Sequence, residues 1–384
     1  MENVLTILHE YFLPFVVTLS IVVFVHEFGH YWVARRCGVR IMEFSIGFGP
    51  EIWGRTSKKS GTRWKMCALP LGGYVRMFGD ADPASTPDAA VHVMSDADKA
   101  VAYYHQNVWK RIAIAFAGPA ANFLFAIVLM TGLFMTYGEP YSPPVADVVT
   151  PNSAVADAGM KTGDRITMMD GRAIETFADI KKFMLLNLGA PIEFEVLREG
   201  EKTKLTVTPR MTEQVDRFGM TRKVALLGIG VNEIAYHKLG FPAAIGASFT
   251  EVWDISSETL IAVKQIILGI RSTDDLGGAI RIAKMTGDIV KDKSLPEYIW
   301  FVIVISLNLG LVNLFPIPLL DGGHIMFYLI EAVRRKPLSE RAQEYAARVG
   351  IITVLSLLVF TTWNDLVQTS VISYLTDWLS DLLG

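Results

Sequence analysis

Four long apolar segments constrain the fold of this 384-residue chain more than any other feature. Crossing a bilayer core of about 30 Å takes roughly 20 apolar residues in a helix. Four stretches meet this requirement: Tyr11–Ala34, Ile112–Tyr137, Tyr298–Leu320 and Val349–Val367. The sequence therefore predicts an α-helical polytopic membrane protein with four transmembrane helices.

The composition agrees with a membrane protein. Hydrophobic residues make up 51% of the chain and charged residues 20%, with a mean hydropathy of +0.34. Such a chain is too apolar for an ordinary soluble enzyme and too poor in charge for a disordered protein. The net charge of −3 gives no reason to expect nucleic acid as a partner. Cys37 and Cys67 are too few for a disulfide framework or a cysteine-based zinc site, so both are expected to be free thiols.

The distribution of Lys and Arg predicts the orientation of the spans. Twelve such residues lie in Arg35–Arg111 and five in Asp321–Arg348, whereas residues 1–10 and 368–384 contain none. Both termini are therefore expected outside the cytoplasm, and both basic connections inside it. The first span has no basic segment before it and no small-residue cleavage site after it, so we expect it to be a transmembrane helix rather than a signal peptide.

The long polar insert between the second and third spans has its own pattern. A linker at Pro140, Pro143 and Pro144 is followed by residues 145–209, whose pattern is typical of a small α+β domain. From Pro242 to Val290 the pattern is that of amphipathic helices, with a break at Arg271–Asp275. The elements predicted in the small domain are a strand at Val145–Val149, a helix at Ala154–Met160, a strand at Asp164–Met169, a helix at Phe177–Leu186, and a hairpin of Ile192–Arg198 and Lys202–Val207 around Glu199-Gly200. The amphipathic helices are expected to pack on the membrane or on this domain without spanning. The predicted divisions are 1–137 (spans one and two), 138–215 (inserted domain), 216–297 (amphipathic helices) and 298–384 (spans three and four).

The first span carries three ionisable side chains within one short motif, His26-Glu27-Phe28-Gly29-His30. Positions i and i+4 lie on the same face of a helix, so both imidazoles can reach one metal ion. Glu27 lies beside them, where a carboxylate can take a proton from water. This HExxH arrangement is typical of zinc peptidases, in which zinc lowers the pKa of its water to about 7.

Two simpler interpretations compete with a metal site. HExxH also arises by chance, and polar side chains near a helix end can extend to the membrane surface. Here Arg35 and Arg36 mark the cytoplasmic boundary roughly two and a half helical turns after His26. A glutamate at that depth costs several kcal/mol unless it pairs, reaches water or lies beside a metal. The cost of burial therefore favours a metal site.

A catalytic zinc takes three protein ligands and a water. Glu43 and Glu51 are the nearest carboxylates downstream, but Gly47-Phe48-Gly49-Pro50 excludes the second helix that a ligand at Glu51 would need. Asp321 is the stronger candidate, because the prolines and glycines around it predict unwound backbone, which a membrane tolerates only beside protein or a wet cavity. Two alternatives remain at this point: Asp321 can cap the next helix, and His324 is a rival ligand.

Two of these motifs together resemble the site-2 protease family (peptidase family M50). They are His26–His30 in an apolar span and Asn313-x-x-Pro316-x-Pro318-x-x-Asp321-Gly322 in a later one, and Gly118-Pro119-x-x-Asn122 also fits. Within that family the chain is most similar to the bacterial regulator of sigma-E protease type, through Pro70-Leu-Gly-Gly-Tyr-Val-Arg-Met77 and a PDZ-like insert. The resemblance covers nearly the whole chain.

The resemblance implies a role for each residue of the metal site. His26, His30 and Asp321 are expected to bind one Zn²⁺ per chain, and Glu27 is expected to be the general base. In the family pattern the aspartate is the third zinc ligand, and this ranks Asp321 above His324.

The resemblance also implies substrate-binding residues. Asn308 and Asn313 are expected to hold the substrate backbone near the zinc. A membrane-associated β-hairpin or sheet is expected to pair its edge with an unwound substrate, although a purely structural hairpin is the alternative. The residues of this edge are Gly72, Gly73, Tyr74, Val75, Arg76 and Met77.

The activity implied is that of a zinc-dependent intramembrane endopeptidase in the bacterial cytoplasmic (inner) membrane, acting in regulated intramembrane proteolysis. Its partners would be the lipid bilayer and single-span membrane proteins already trimmed outside, such as an anti-sigma factor or a signal-peptide remnant. The inserted α+β PDZ-like domain would lie outside the cytoplasm and exclude untrimmed substrates, and the active site would lie toward the cytoplasmic side. The insert is long enough for one PDZ-like domain, whereas well-known members of this type carry two.

Two other functions are weaker alternatives. A catalytically inactive PDZ-bearing membrane scaffold would be marked by a broken HExxH or a missing aspartate, and both are intact. A zinc transporter would need polar groups in both halves of the membrane, and Val349–Val367 offers few.

Overall fold

The computed structural model describes residues 8–80, 94–186, 190–215, 221–230, 235–269, 277–292 and 294–368. A π-helical turn, Leu8–Phe12, precedes the first α-helix. The helices are α1 (Leu13–Arg36), α2 (Asp96–Val101), α3 (Val108–Thr136), α4 (Ala154–Asp157), α5 (Phe177–Leu186), α6 (Phe241–Ile267), α7 (Ala279–Asp292), α8 (Leu295–Asn313), α9 (Asp321–Arg334) and α10 (Glu340–Gln368). The strands are β1 (Ile41–Thr56), β2 (Arg63–Met77), β3 (Glu139–Tyr141), β4 (Val148–Val149), β5 (Arg165–Met169), β6 (Arg172–Ala173), β7 (Ile192–Arg198), β8 (Glu201–Val207), β9 (Arg210–Val215), β10 (Thr221–Leu226), β11 (Ile229–Gly230) and β12 (Ala235–His237).

The chain divides into two compact units. One consists of Met1–Thr131, Ile245–Lys264 and Ser272–Gly384, and the other of Gly132–Ala244 and Gln265–Arg271. The first unit holds most of the long apolar helices, and the second holds a small sheet with its own core.

Four helical segments among the described residues are long and apolar enough to cross a membrane, as the sequence predicts. They are His9–Arg36, Val108–Thr136, Leu295–Asn313 and Arg341–Val367. The third ends at Asn313, and helical structure resumes only at Asp321. Pro316 and Pro318 lie between them and cannot donate the backbone hydrogen bonds of a continuing helix. The predicted unwinding of this segment is therefore confirmed.

In the first unit, β1 and β2 form an antiparallel sheet that packs on α1. Phe44 in β1 lies opposite Val75 on one side and Trp64 on the other. The Phe44 ring stacks on Trp64 with centroids 4.3 Å apart, and it meets the Tyr31 ring of α1 edge-on at 5.8 Å. Such aromatic contacts prefer these offset and edge-to-face geometries. They fix the sheet against the helix that carries the HExxH motif.

Helix α6 packs against the apolar spans of the first unit. Thr131 on α3 donates a hydrogen bond to Ser248 on α6 at 3.1 Å. Further along α6, the Thr259 hydroxyl lies 3.5 Å from Asn308 Oδ1 on α8. Buried polar side chains need such partners, and these partners lie on the neighbouring spans.

Helix α7 is likewise held by the spans. Asp365 on α10 accepts hydrogen bonds from the backbone N–H groups of Gly278 at 2.8 Å and Arg281 at 3.0 Å, which caps the start of α7. Near its other end, Lys291 forms an ion pair with Glu10. The sequence indicates that the two amphipathic helices pack on the membrane or on the inserted domain, and the structure adds these direct contacts with the spans. The predicted break at Arg271–Asp275 lies outside the described residues.

The second unit is built on a four-stranded sheet with the order β6-β5-β7-β8. The predicted helix Phe177–Leu186 and the predicted hairpin are confirmed. Its turn residues Glu199 and Gly200 have φ angles of 50° and 87°, as a two-residue hairpin turn with right-handed twist requires. Fully buried side chains of the core include Val155, Ile166, Met169, Ile192, Phe194, Val196 and Val207.

A buried carboxylate links two strands of this unit. Arg198 donates two hydrogen bonds to Asp164, from Nε at 2.8 Å and from Nη2 at 2.7 Å. Burial alone would raise the pKa of the Asp164 carboxyl, but Arg198 and the backbone N–H of Lys161 lower this pKa below its usual range. The charged pair therefore joins the end of β7 to the loop before β5.

Three elements differ from the sequence prediction. The strand expected at Val145–Val149 is reduced to Val148–Val149, because its partner strand, Ile229–Gly230, has only two residues and Val145 forms an isolated bridge with Arg165 instead. The short helix ends at Asp157, since Gly159 follows with a left-handed φ of 81°. The helices expected over 216–297 begin only at Phe241, after three short strands (β10 to β12) that pair with β9, β4 and β3.

Candidate metal centre

The two histidines of the HExxH motif lie on one buried face of α1. His26 and His30 are only 6% and 8% exposed, and their Nε2 atoms are 3.2 Å apart. Between them, Gly29 lies so close to α3 that an added Cβ would be 2.3 Å from the carbonyl oxygen of Ala117. This close approach of the two helices encloses both imidazoles.

Asp321 approaches the histidines from the other end of the chain. It occupies the first turn of α9, where the helix dipole favours a negative charge, and the N-cap position belongs to the preceding residue. Glycine is required after it, because a Cβ on Gly322 or Gly323 would lie 2.3 Å from a backbone carbonyl oxygen of the preceding loop. The carboxylate Oδ2 is 3.0 Å from His26 Nε2, and Oδ1 is 3.4 Å from His30 Nε2.

The spacing of these three groups suits a tetrahedral metal ion. One ligand atom from each of His26, His30 and Asp321 lies within 4.8 Å of the others. Two ligands held about 2.1 Å from zinc at a tetrahedral angle would be about 3.4 Å apart, and each imidazole has one carboxylate oxygen of Asp321 at a similar distance. Two imidazoles and one carboxylate leave the fourth position free for water, as in catalytic zinc sites. The residues present therefore fit Zn²⁺.

One face of α3 lines this cluster through Ile114, Gly118 and Asn122, which are spaced four residues apart. The Nδ1 of His30 lies 2.8 Å from the carbonyl oxygen of Ile114, so Nδ1–H donates and Nε2 keeps a free lone pair. An added Cβ on Gly118 would lie 2.2 Å from His30 Nε2 and 2.8 Å from His26 Cε1. Any side chain at position 118 would thus occupy the space where the ligand atoms converge.

Glu27 is the acidic neighbour of the cluster. It is half-buried and interacts electrostatically with His26, His30 and Asp321. Within the part of the chain that the structure describes, its carboxylate forms no hydrogen bond or ion pair. A Cβ added to Gly73 in β2 would lie 3.0 Å from Glu27 Cγ. Glu27 therefore lies between the three ligand groups and the edge of the sheet.

The two asparagines predicted to bind substrate lie at different positions along α8. Asn313, the last residue of α8, has its Nδ2 3.3 Å from His26 Nε2. Asn308 lies more than one turn earlier, beside Thr259 of α6. Asn313 is thus at the cluster, and Asn308 faces the groove between α8 and α6.

The predicted substrate-pairing segment is the last part of β2. Residues from Gly73 to Met77 pair with β1 on one side, for example Tyr74 with Ser45. Among the described residues, no strand pairs with the other side of this segment. It therefore presents an open edge next to α1.

The rival ligands named from the sequence have other partners. Glu43 bonds Lys65 at 2.5 Å, and Glu51 bonds Arg63 at 2.6 Å, both within the β1–β2 sheet. His324 lies against the ring of Tyr328, with centroids 6.3 Å apart. None of the three contributes to the group of ligand atoms found in the described chain.

Sequence reasoning missed a buried ion pair that holds α9. Arg111, at 4% exposure, donates from Nη2 to Glu331 Oε1 at 2.5 Å and lies 4.7 Å from the centre of the Tyr328 ring. The pair joins the start of α3 to the helix that presents Asp321. Its only sequence signal is an arginine at the edge of an apolar segment, which usually marks a membrane boundary rather than a buried contact.

The chain is similar to known proteins along most of its length. The profile of peptidase family M50 matches residues 14–357. A Rhizobium meliloti protein with the provisional name of a zinc metalloprotease is 42% identical over 363 residues, which cover 93% of this chain and 96% of that protein. An Agrobacterium fabrum protein with the same provisional name is 41% identical over 361 residues, covering 93% and 95%. Metalloprotease MmpA of Caulobacter vibrioides is 34% identical over 380 residues, covering 93% and 95%.

Among solved structures, the PDZ domain of an SdrC-like protein from Listeria innocua is 15% identical and covers 25% of this chain and 99% of that one, with a TM-score of 0.20. The family match covers the second and third apolar helices and most of the first and fourth, and it includes the three converging ligand residues. The chain is a membrane protein, and it belongs to peptidase family M50.

Proposed function

We propose that this protein is a zinc-dependent intramembrane endopeptidase that cleaves the transmembrane segments of single-span membrane proteins. The observation that carries the proposal is the convergence of His26, His30 and Asp321 beside membrane-length apolar helices. Ionisable groups at such a position are costly unless they pair, reach water or bind a metal. The provisional names of the relatives as zinc metalloproteases support the same ion.

The proposed zinc ligands are His26 Nε2, His30 Nε2 and a carboxylate oxygen of Asp321, with one Zn²⁺ per chain. A bound Zn²⁺ supplies a Lewis acid that polarises the scissile carbonyl and lowers the pKa of a water to about 7. Glu27 takes a proton from the attacking water as the water oxygen bonds to the carbonyl carbon. The same carboxyl then delivers that proton to the leaving amide nitrogen as the C–N bond breaks.

The substrate must be extended before it is cut, because a helix hides its carbonyl groups in hydrogen bonds. We propose that an unwound segment adds as a strand to the edge formed by residues 72–77, which lies beside Glu27. Main-chain hydrogen bonds to a sheet edge are a common way to bind peptides. Asn313 and Asn308 would donate hydrogen bonds from their amide groups to the substrate backbone.

The proposed location is the bacterial cytoplasmic membrane, with both termini and a PDZ-like domain (138–215) outside the cytoplasm. The amphipathic helices, which begin at Phe241, would follow on the same side, between the spans of 1–137 and 298–384. The concentration of Lys and Arg in Arg35–Arg111 supports this orientation. Substrates would be proteins already trimmed outside, such as an anti-sigma factor or a signal-peptide remnant, and the PDZ-like domain would exclude untrimmed ones.

Cleavage of a defined substrate by the purified protein tests the function. Zinc-loaded protein in lipid vesicles should cut a single-span substrate with a truncated outer domain. Removal of the metal with 1,10-phenanthroline should stop the reaction, because Glu27 alone cannot activate water sufficiently, and added Zn²⁺ should restore it. Cleavage that continues at the full rate in metal-free protein would contradict the proposal, as would intact substrate after long incubation with the zinc-loaded protein.

A further inference from the structure

Asn122 on α3 is a fully buried amide with an unpaired oxygen. It is 0% exposed, and its Oδ1 has no hydrogen-bond partner among the residues that the structure describes. Its Nδ2 lies 3.3 Å from His26 Nδ1. An unpaired buried oxygen is costly, and such atoms are rare in folded proteins. This arrangement therefore needs a physical explanation.

The surroundings hold Asn122 against His26. Ser306 on α8 donates a hydrogen bond to the backbone oxygen of Asn122 at 3.0 Å. A Cβ on Gly310, one turn further along α8, would lie 3.2 Å from the Asn122 Cβ, so the two helices are in close contact here. The Asn122 side chain therefore has little freedom other than rotation of its amide group about the Cβ–Cγ bond.

The chemistry of the metal site decides which end of the amide faces the histidine. His26 Nε2 can bind a metal only if its lone pair is free, which places the imidazole proton on Nδ1. An Nδ1–H group needs an acceptor, whereas the Nδ2 group of Asn122 can only donate. The two ends of an amide have almost the same shape, so a half-turn brings Oδ1 to His26 Nδ1 without other changes.

We infer that Asn122 is a positioning residue whose Oδ1 accepts a hydrogen bond from His26 Nδ1–H and so orients His26 toward the metal. This inference rests on the zinc site proposed above. The pattern repeats the one at the other ligand, where His30 Nδ1–H donates to the Ile114 carbonyl. Helix α3 would then supply the outer hydrogen-bond partner of both imidazoles, eight residues apart on one face.

The test is the zinc affinity of variants, measured by competition with a chromogenic chelator. Asn122→Ala removes the acceptor and should weaken zinc binding by about 10–100-fold, as is typical when an outer partner of a ligand is lost. Asn122→Asp keeps an acceptor of the same shape and should stay within a few-fold of the wild type. Thr131→Val is the matched control, since Thr131 is a buried polar residue of the same helix that bonds Ser248 instead.

Thermal unfolding of the metal-free variants separates this effect from a loss of fold. Asn122→Ser replaces the alanine variant if the latter is unfolded, because the shorter hydroxyl cannot reach His26 Nδ1. Equal zinc affinity in the folded Ala or Ser variant and the wild type would overturn the inference, and so would an Asp variant as weak as the Ala variant. A wild-type protein that binds no zinc would instead overturn the proposed function.

Discussion

Replacing Glu27 by glutamine is expected to lower the rate of substrate cleavage by about 10²–10⁴-fold, the usual loss when a general base is removed. Glutamine has nearly the shape of glutamate but cannot accept a proton from water. The ligand atoms of His26, His30 and Asp321 are untouched by the change, so zinc should stay bound. The measurement is the initial cleavage rate of zinc-loaded protein, with zinc content determined on the same sample.

Glu51→Gln is the matched control for that experiment. Glu51 is also a carboxylate near α1 in sequence, but it bonds Arg63 at the far end of the β1–β2 sheet. Its replacement should leave the cleavage rate within a few-fold of the wild type. An active Glu27→Gln enzyme would refute the assigned base, and a Glu27→Gln protein without zinc would show that Glu27 holds the metal instead.

Replacing Gly118 by alanine is expected to remove zinc without changing any ligand. The new Cβ would lie 2.2 Å from His30 Nε2, a distance that two such atoms cannot adopt. His30 must then move, although its Nδ1 is held by the Ile114 carbonyl. Zinc affinity should fall by more than the roughly 10–100-fold typical of losing an outer partner. Overpacking should also destabilise the metal-free protein by about 1–3 kcal/mol.

Gly132→Ala supplies the control on the same helix. An added Cβ there meets no atom within 4 Å, and alanine favours a helix over glycine by about 1 kcal/mol. This variant should bind zinc as the wild type does. Chelator competition and thermal unfolding of both variants measure the two effects separately. If Gly118→Ala loses stability but keeps its zinc affinity, position 118 matters only for helix packing, and the metal does not occupy the space beside Gly118.

The sequence predicts the spans and the histidine pair through local geometry. Apolar length alone identifies four membrane helices, and the period of a helix places His26 and His30 on one face. The prolines before Asp321 and the glycines after it likewise predict where the third span unwinds. These features depend on residues close together in the chain, which is why they can be deduced without coordinates.

Features that depend on distant partners were beyond such reasoning. Nothing local indicates that Arg111 pairs with Glu331, or that Val148–Val149 pairs with Ile229–Gly230. The unwound backbone around Asp321 makes it the stronger candidate for the third ligand, but only the family resemblance ranks it above His324. The sequence shows Asn122 only as part of the Gly118-Pro119-x-x-Asn122 motif. Its contact with His26 Nδ1 could not be predicted, because that atom lies on another helix.

The most direct test of the account is the zinc content of the wild type, His26→Ala and Asp321→Ala, measured by inductively coupled plasma mass spectrometry on folded protein. We expect about one zinc per wild-type chain and little or none in either variant, because a catalytic zinc site needs its three protein ligands. Full zinc content in folded Asp321→Ala protein would contradict it, since the two ends of the chain would then not share one ion.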